Sequence, residues 1–244
     1  MPKISIITIC YNAASVITST LESVAMQSYD DIEYIIVDGA SRDDTLTKVA
    51  EICPRAIVKS EPDRGIYDAM NKGICLASGD YLWFLNAGDS LRHKDSVKQV
   101  VESINREGTP APDILYGDTM IVSDKREDVG LRRLRPPHHL CKEHFLRGML
   151  VCHQAFIVAR KIVLPYSLHY RLSSDYDWCI RMLERSRHTL EISAILVNYL
   201  QGGLSEKKHW QSLRERFCIM RKHFGWRKAI TAHLSFFFIP KEKR

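Results

Sequence analysis

The chain has 244 residues and a mass of 28.1 kDa, which suits one large domain or two small ones. Hydrophobic residues make up 45% and charged residues 26% of the sequence, ordinary values that exclude a disordered, collagen-like or coiled-coil protein. The 35 lysines and arginines exceed the 29 acidic residues by six, which suits an anionic ligand or a membrane surface but not a protein that coats nucleic acid.

The cysteine content and the apolar segments of the sequence indicate the cellular compartment of the protein. Seven cysteines are scattered along the chain without a C-x-x-C pair, which argues against a disulfide framework or a structural zinc site and favours a reducing compartment. The apolar run at residues 4–9 is too short for a secretory signal, and the run at residues 229–240 is shorter than the ~20 residues that span a bilayer. We expect a cytoplasmic protein, soluble or peripheral on the inner face of the cell membrane.

The first half of the chain alternates predicted strands and helices. Residues 4–9 and 32–37 are nearly continuous apolar runs, typical of strands buried on both faces. Asn12 is a candidate N-cap for a helix that follows the first strand. Helices are also predicted over residues 46–53 and 66–77, and strands over residues 56–59 and 81–85. This order predicts a parallel α/β sheet with ligands at the carboxyl ends of its strands.

The second half is less regular, and we expect it to complete the same sheet. Strands are predicted over residues 113–116, 119–122, 151–158 and 190–199, and a helix over residues 175–184. Residues 125–135 are polar and charged, and we expect them to be mobile. The resulting picture is one domain over residues 1–205 with a C-terminal appendage over residues 206–244.

The loops after four predicted strands carry the residues of a candidate site. They read Cys10-Tyr11-Asn12, Asp38 to Thr45, Glu61 to Gly65, and Asn86-Ala87-Gly88-Asp89. Carboxylates gathered at one edge of a sheet repel one another, and Mg²⁺ or Mn²⁺ bound to a diphosphate would relieve that repulsion. Each loop taken singly is also a common turn sequence, but four of them at predicted strand ends favour a site.

These loops resemble those of inverting glycosyltransferase family 2, which has the nucleotide-diphosphosugar transferase (GT-A) fold. Three runs carry the resemblance: Ser5 to Asn12, Val37 to Thr45, and Asp63 to Ile74 with Gly79-Asp80-Tyr81. The sequences of these three runs are most similar to those of transferases of bacterial exopolysaccharide (colanic-acid-type) assembly. The resemblance implies a Rossmann-like, mostly parallel sheet flanked by helices, with a nucleotide-sugar-binding half (residues 1–90) and an acceptor and catalytic half (residues 91–205).

Carried over residue by residue, the resemblance implies a nucleotide site. Tyr11 would lie against the base, Asp38 would accept a base N–H, and Glu61 and Asp63 would lie near the base or ribose. Arg64 is free to reach a phosphate. The alternative for Tyr11 is a packed aromatic residue at the rim of the sheet.

The metal motif departs from the Asp-x-Asp-Asp pattern of the family. The chain reads Asn86-Ala87-Gly88-Asp89, so only Asp89 keeps a charge. We expect a divalent ion, Mg²⁺ or Mn²⁺, held by Asp89, diphosphate and water, with Asn86 as a second candidate ligand. The affinity should be lower than with two carboxylates.

An inverting transfer needs one carboxylate to take the proton of the acceptor hydroxyl. The run Ser173 to Arg181 resembles the acidic pair of the family and puts Asp175 at the position of the base. Asp175 is alternatively a helix-capping residue, and the two roles do not exclude each other.

Two weaker similarities concern the acceptor or diphosphate. His153 resembles part of a family pair at the floor of the site, although a lone histidine on an apolar strand is more often a satisfied core residue. The run Gln201 to Ser205 resembles a family Gly-Gly-x-Ser loop, in which Gly202, Gly203 and Ser205 approach the diphosphate or acceptor. A tight turn explains that run equally well.

The basic C-terminal region has two interpretations. Its apolar residues advance at helical spacing: Trp210, Leu213, Phe217, Met220 and Phe224. One interpretation is a final helix that packs on the domain with a solvated basic face. The other is an interfacial helix that binds anionic lipid and brings the site to a lipid-linked acceptor.

The sequence therefore predicts an inverting, metal-assisted glycosyltransferase of surface polysaccharide synthesis. It would use a UDP- or GDP-sugar as donor and a saccharide or lipid-linked saccharide as acceptor, with no nucleic-acid partner. One alternative is a non-catalytic nucleotide-sugar-binding relative, because the metal motif has lost two acids. A nucleotidyltransferase is a weaker alternative, because the loop after the first strand lacks the Gly-rich, Arg- or Lys-bearing sequence of that class. A dinucleotide oxidoreductase is excluded, because no G-x-G-x-x-G follows the first strand.

Overall fold

The computed structural model describes residues 1–202 and 209–238 of the chain. The strands within these residues are β1 (Ile4–Cys10), β2 (Ile32–Asp38), β3 (Ile57–Ser60), β4 (Tyr81–Phe84), β5 (Ser90–Leu91), β6 (Ile114–Val122), β7 (Asp128–Leu131), β8 (Phe156–Ala159) and β9 (Thr189–Leu200). The helices are α1 (Ile17–Ala25), α2 (Thr45–Ile52), α3 (Ile66–Leu76), α4 (Ser96–Glu107), α5 (Ser174–Arg185), α6 (His209–Phe224) and α7 (Trp226–Phe238). The strands form one sheet in the order β3-β2-β1-β4-β8-β6-β9-β5, and β7 pairs with β6.

The first half of the sheet is parallel, as the sequence predicts. β1 pairs in parallel with β2 and β4, and β2 pairs in parallel with β3. Strand β1 is buried on both faces: Ile7 and Ile9 belong to one core cluster, and Ile4 and Ile6 belong to the cluster on the other face. The continuous apolar run of this strand thus reflects helices packed on both sides of the sheet.

The second half of the sheet is mixed rather than parallel. β8 lies between β4 and β6 and is antiparallel to both, whereas β9 is parallel to β6. The strand predicted at residues 151–158 begins late, because His153–Ala155 forms a 3-10 turn before β8. The two short strands predicted after residue 112 are one strand, β6.

Helix α4 has no counterpart among the predicted elements. Its buried residues are Ser96, Val97, Val100, Val101 and Ile104. The apolar members of that set recur at helical spacing, so the signal was present in the sequence.

The charged segment over residues 125–135, for which the sequence predicts mobility, contains strand β7 of the sheet at Asp128–Leu131. The guanidinium of Arg92 donates to both carboxylate oxygens of Asp128, the first residue of β7, at 2.7 and 2.8 Å. Arg126 donates to the carbonyl oxygens of Gly88 and Val16. Its charged residues therefore bind the segment to the strand-end loops.

Helices α6 and α7 pack on the domain. Ile219, Met220 and Ala229 are fully buried and belong to the core cluster that includes Ile7 of β1. The predicted apolar stripe is correct for Met220 but wrong for Trp210, which is 76% exposed. The inward face of these helices is thus a structural element of the domain.

Candidate active site

The loops after β1 and β2 are joined by hydrogen bonds at the carboxyl ends of the parallel strands. The side-chain oxygen of Asn12 accepts the N–H of Arg42 at 2.9 Å, and the N–H of Asn12 donates to Ser41 Oγ at 2.8 Å. Asn12 therefore does not cap α1, which begins five residues later at Ile17. Instead it adopts a left-handed conformation, with φ of 46°, and ties the two loops together.

Tyr11, Gly39 and Asp63 come together from the ends of β1, β2 and β3. A Cβ atom on Gly39 would lie 2.6 Å from Asp63 Oδ2 and 3.3 Å from Tyr11 Cδ2, so only glycine fits between them without displacing a neighbour. The Tyr11 side chain is 62% exposed. An accessible aromatic ring beside a carboxylate can stack on a nucleobase while the carboxylate accepts an N–H or a ribose hydroxyl.

Asp38 lies beneath this cluster rather than on its surface. The residue is fully buried, and its carboxylate accepts the N–H of Ser41 at 2.9 Å, the hydroxyl of Ser60 at 2.7 Å and the hydroxyl of Ser41. These bonds hold the turn that carries Gly39. A contact between Asp38 and a base N–H would require one of them to be exchanged.

Glu61 and Arg64 lie at the rim of the same edge. Glu61 pairs with Lys72 at 3.0 Å and with Lys59 at 3.3 Å, and the Lys72 ammonium lowers the pKa of the Glu61 carboxyl. The Arg64 side chain is 78% exposed and pairs with Asp68 at 3.0 Å, so its guanidinium keeps donors for a phosphate.

The Asn86–Asp89 turn follows β4 and contains the two residues predicted as metal ligands, Asn86 and Asp89. Asp89 is buried, and its Oδ1 accepts the N–H of Leu200 at 2.9 Å. Burial raises the pKa of Asp89 to about 7, although the Leu200 N–H and the Arg126 charge oppose the rise. The Oδ1 of Asn86 is buried without a partner among the residues that the structure describes. Across residues 1–202 and 209–238, no group of three or more His, Cys, Asp or Glu residues is arranged to hold a metal ion.

Asp175 lies in the first turn of α5 with one oxygen fixed. Its Oδ1 accepts the hydroxyl of Tyr67 at 3.1 Å and the N–H of Tyr176 at 2.9 Å. Its Oδ2 accepts no hydrogen bond from the described part of the chain, and the residue is partly exposed. Desolvation together with the Asp175 charge raises the pKa of Tyr67 well above its usual value, so Tyr67 remains a hydrogen-bond donor.

A cleft of about 520 Å³ lies between the loop and helix start that follow β3 and the segment that precedes α5. It is lined by Arg64, Gly65, Ile66, Tyr67, Asp68, Leu168, Tyr170 and Arg171. Arg64 follows Asp63 directly in the chain, and Tyr67 is the residue that donates to Asp175. The cleft therefore adjoins Asp63 along the chain and reaches the side chain that contacts Asp175.

The other candidate residues have differing surroundings. His153 is buried, and its Nε2 lies 2.7 Å from the hydroxyl of Tyr166, while burial lowers its pKa to about 4 despite the nearby Asp175 charge. It is thus a neutral core residue at pH 7, as its position on an apolar segment allows. Gly202 is exposed with φ of 90°. Gly203 and Ser205 lie outside the described residues.

Sequence reasoning did not single out the aromatic residues around Asp175. The rings of Tyr67 and Tyr166 are stacked at 5.8 Å, and those of Tyr166 and Trp178 at 4.7 Å. Tyr67 lies inside the Asp63 to Ile74 run, and Trp178 follows Asp175 by three residues on α5. Both residues therefore lie within runs that resemble the family, and the sequence could have pointed to them. Tyr166 lies in a loop after Pro165, where nothing in the spacing points to the site.

Comparison with known proteins gives matches of three kinds. Residues 5–165 match glycosyl transferase family 2. A PGL/p-HBAD biosynthesis glycosyltransferase of Mycobacterium bovis is 31% identical over an alignment 261 residues long. That alignment covers 93% of this chain and 98% of the relative. The amylovoran biosynthesis glycosyltransferase AmsB of Erwinia amylovora is 30% identical over 213 residues, which cover 80% of this chain and 68% of the relative.

Two solved structures share the fold. Residues 1–349 of Staphylococcus aureus TarS in complex with UDP-GlcNAc align with a TM-score of 0.73 at 16% identity, over 96% of this chain and 73% of TarS 1–349. The mannosyltransferase PcManGT of Pyrobaculum calidifontis, in complex with GDP-Man and Mn²⁺, aligns with a TM-score of 0.63 at 14% identity, over 98% of this chain and 76% of PcManGT. With the match over residues 5–165, these comparisons show that the chain belongs to glycosyl transferase family 2 and has the GT-A fold.

Proposed function

We propose that the chain moves a sugar from a UDP- or GDP-sugar to a hydroxyl group of a saccharide or lipid-linked saccharide, with inversion at the anomeric carbon. The observation that supports this most directly is the Asp175 carboxylate. Tyr67 and the Tyr176 N–H hold its Oδ1, while its Oδ2 is left without a partner among the described residues. The UDP-GlcNAc and GDP-Man bound by two structural neighbours support a donor of this class.

In the proposed step, the acceptor oxygen attacks the anomeric carbon from the face opposite the diphosphate. Asp175 Oδ2 takes the proton of the acceptor hydroxyl as the new bond forms. The bond between the anomeric carbon and the phosphate oxygen breaks, and its electron pair leaves with the nucleoside diphosphate. Displacement from the opposite face inverts the configuration.

The nucleotide is assigned to the cluster at the ends of β1, β2 and β3. Tyr11 stacks on the base and Asp63 accepts a hydrogen bond from the base or ribose, with Glu61 at the rim of the same edge. Asp38 supports this site from below through Ser41 and Ser60. Arg64 reaches the diphosphate from the mouth of the cleft.

A divalent ion is part of the proposal. Asn86 Oδ1 and the second carboxylate oxygen of Asp89 are oxygen donors of the type that Mg²⁺ and Mn²⁺ prefer, and diphosphate oxygens and water would complete the ligand set. The bound ion would neutralise the charge on the leaving diphosphate. Because Asp89 is the only carboxylate that the protein contributes to this ligand set, we expect weak binding of the metal by the protein alone and tighter binding with the nucleotide present.

A thermal-shift screen tests the assignment of the donor. UDP-, GDP-, CMP- and dTDP-sugars are compared with and without Mn²⁺. We expect one nucleotide class to raise Tm, and to raise it further with Mn²⁺, because a ligand at a hundredfold over its Kd stabilises the fold by ~2.7 kcal/mol. No shift with any donor would contradict the nucleotide site. Binding without turnover of any donor would favour the non-catalytic relative.

The proposed setting is surface polysaccharide synthesis at the cytoplasmic face of the membrane. The similarity to the amylovoran biosynthesis glycosyltransferase AmsB supports a role in polysaccharide synthesis. Residues 206–244 contain 11 of the 35 basic residues and 3 of the 29 acidic ones, so the net positive charge of the chain resides there. None of the helices in the described ranges is long and apolar enough to cross a bilayer.

The outward face of α7 has the composition of a membrane-contact surface. Trp226, Ile230 and Leu234 follow one another at four-residue spacing and are 58%, 45% and 52% exposed. Arg227 and Lys228 are exposed beside them. Apolar side chains flanked by basic ones bind the interface of an anionic bilayer.

Vesicle co-sedimentation tests this surface. Since each basic residue near an anionic surface contributes about 1 kcal/mol, the double variant Arg227→Ala/Lys228→Ala should bind phosphatidylglycerol vesicles roughly 30-fold more weakly than the parent chain. The double variant Lys94→Ala/Lys98→Ala carries the same charge change on exposed residues around the start of α4 and is the control. Equal binding by both variants would remove the membrane from the proposal.

A further inference from the structure

The segment that leads into α5, the helix that carries Asp175, is held by a residue of α6. The carboxylate of Glu215 accepts three successive backbone N–H groups: Oε1 that of Arg171 at 3.1 Å, and Oε2 those of Leu172 at 2.9 Å and Ser173 at 3.0 Å. Ser173 is the residue immediately before α5, and Asp175 lies two residues further. The position of the proposed base thus depends on a side chain 40 residues further along the chain.

This contact accounts for backbone donors that the local structure does not use. Residues 171–173 belong to no helix or strand, so their N–H groups have no partner within a regular element. An ionised carboxylate forms stronger hydrogen bonds to backbone N–H groups than a neutral acceptor does. A side-chain contact between Ser173 and Ser212, at 3.2 Å between hydroxyl oxygens, joins the same segment to α6.

A second contact joins α6 to the first turn of α5 from the other side of Asp175. Asp177 is fully buried, and its Oδ1 accepts Lys222 at 3.1 Å and lies 3.0 Å from His223 Nε2. Its Oδ2 accepts Arg181 at 2.7 Å. In the chain, Asp175 therefore lies between two contacts with α6, one to the backbone of residues 171–173 and one to the Asp177 side chain.

We propose that Glu215 is a positioning residue for sugar transfer, which fixes Asp175 by holding the backbone of residues 171–173. The inference rests on the proposed role of Asp175 as the base. The family match ends at residue 165, so neither Glu215 nor the segment it holds lies within it. The C-terminal helices, on this proposal, contribute to the reaction as well as to the core.

The physical reason for a catalytic effect is geometric. A general base must lie within hydrogen-bond reach of the proton it accepts, and a misplacement of about 1 Å can lower the rate about 100-fold. Loss of Glu215 would leave three donors without their acceptor and allow the 171–173 segment to move. Binding of the nucleoside diphosphate alone should not change, because Tyr11, Gly39 and Asp63 lie on other elements, whereas Arg171 lines the cleft proposed for the sugar.

The experiment compares Glu215→Ala, Glu215→Gln and the control Glu102→Gln, an exposed glutamate on α4. We expect kcat per folded molecule to fall by up to about 100-fold in Glu215→Ala and by less in Glu215→Gln, which keeps one carbonyl acceptor. The Kd of the nucleoside diphosphate alone, UDP or GDP as the thermal-shift screen ranks them, should stay within about twofold in all three variants. Hydrogen exchange of the peptide over residues 166–176 should quicken in Glu215→Ala and leave the β1 peptide unchanged.

Two results would overturn the inference. One is a Glu215→Ala protein with parent kcat while Asp175→Asn is inactive, which would leave the base in place and remove the role of Glu215. The other is a loss of activity that matches the loss of folded protein, measured by circular dichroism and by titration with the nucleoside diphosphate alone, because a purely structural role predicts it. If Asp175→Asn itself is fully active, the proposed function fails first, and the two failures are thereby distinguished.

Discussion

Replacement of Asp175 by Asn is expected to lower kcat for sugar transfer by about 10²–10⁴-fold, the usual contribution of a general base. The amide oxygen can still accept the hydroxyl of Tyr67 and the N–H of Tyr176, so the local structure should persist. Because Tyr11, Gly39 and Asp63 of the proposed nucleotide site lie at the ends of β1, β2 and β3, the Kd of the donor should stay within about twofold. Steady-state transfer kinetics and calorimetric titration with the donor measure the two quantities separately.

The matched control for this substitution is Asp30→Asn. Asp30 is exposed and lies just before β2, at the edge of the sheet opposite the site. Full activity of Asp30→Asn beside an inactive Asp175→Asn would show that the loss is specific to the base. Activity of Asp175→Asn close to that of the parent chain would mean that another group accepts the proton.

Replacement of Tyr11 by Ala is expected to raise the Kd of the nucleotide by roughly 5–150-fold, because stacking of one base on an aromatic ring contributes about 1–3 kcal/mol. Tyr11→Phe keeps the ring and removes only the hydroxyl, so its Kd should stay close to that of the parent chain. Since the Tyr11 side chain is 62% exposed, neither substitution leaves a cavity in the core. Calorimetric titration with the nucleotide that the thermal-shift screen ranks first measures both values.

The two Tyr11 variants separate stacking from the alternative role of Tyr11 as a rim residue. An unchanged Kd in Tyr11→Ala would place the base elsewhere and would leave Asp63 without its proposed neighbour. A loss in Tyr11→Phe equal to that in Tyr11→Ala would assign the contact to the hydroxyl rather than the ring.

The parallel half of the fold was accessible from the sequence because its signals are local. A strand buried on both faces is a continuous apolar run, and β1 and β2 show such runs directly before the loops of the site. The antiparallel insertion of β8 between β4 and β6 depends on contacts far apart in the chain. No residue spacing encodes that pairing, so the sequence could not predict it.

The candidate site, like the fold, was predictable from the sequence only where its features are local. The chemical types at the strand ends suggested a nucleotide site, and the structure brings Tyr11 and Asp63 together around Gly39. The burial of Asp38 beneath Ser41 and Ser60 could not be predicted, because burial is a property of tertiary packing. The same holds for the bonds from Glu215 to residues 171–173, which bridge about 40 positions and leave no periodic signal.

A crystal structure of the chain with its UDP- or GDP-sugar and Mn²⁺ is the most direct test of whether one cleft brings the donor sugar and the acceptor hydroxyl to Asp175. We expect a base stacked on Tyr11 and a sugar in the cleft beside Tyr67. We also expect room for an acceptor oxygen at about 3 Å from Asp175 Oδ2 and on the far side of the anomeric carbon from the diphosphate. A nucleotide bound away from Tyr11, or a sugar whose anomeric carbon is shielded from Asp175, would contradict it.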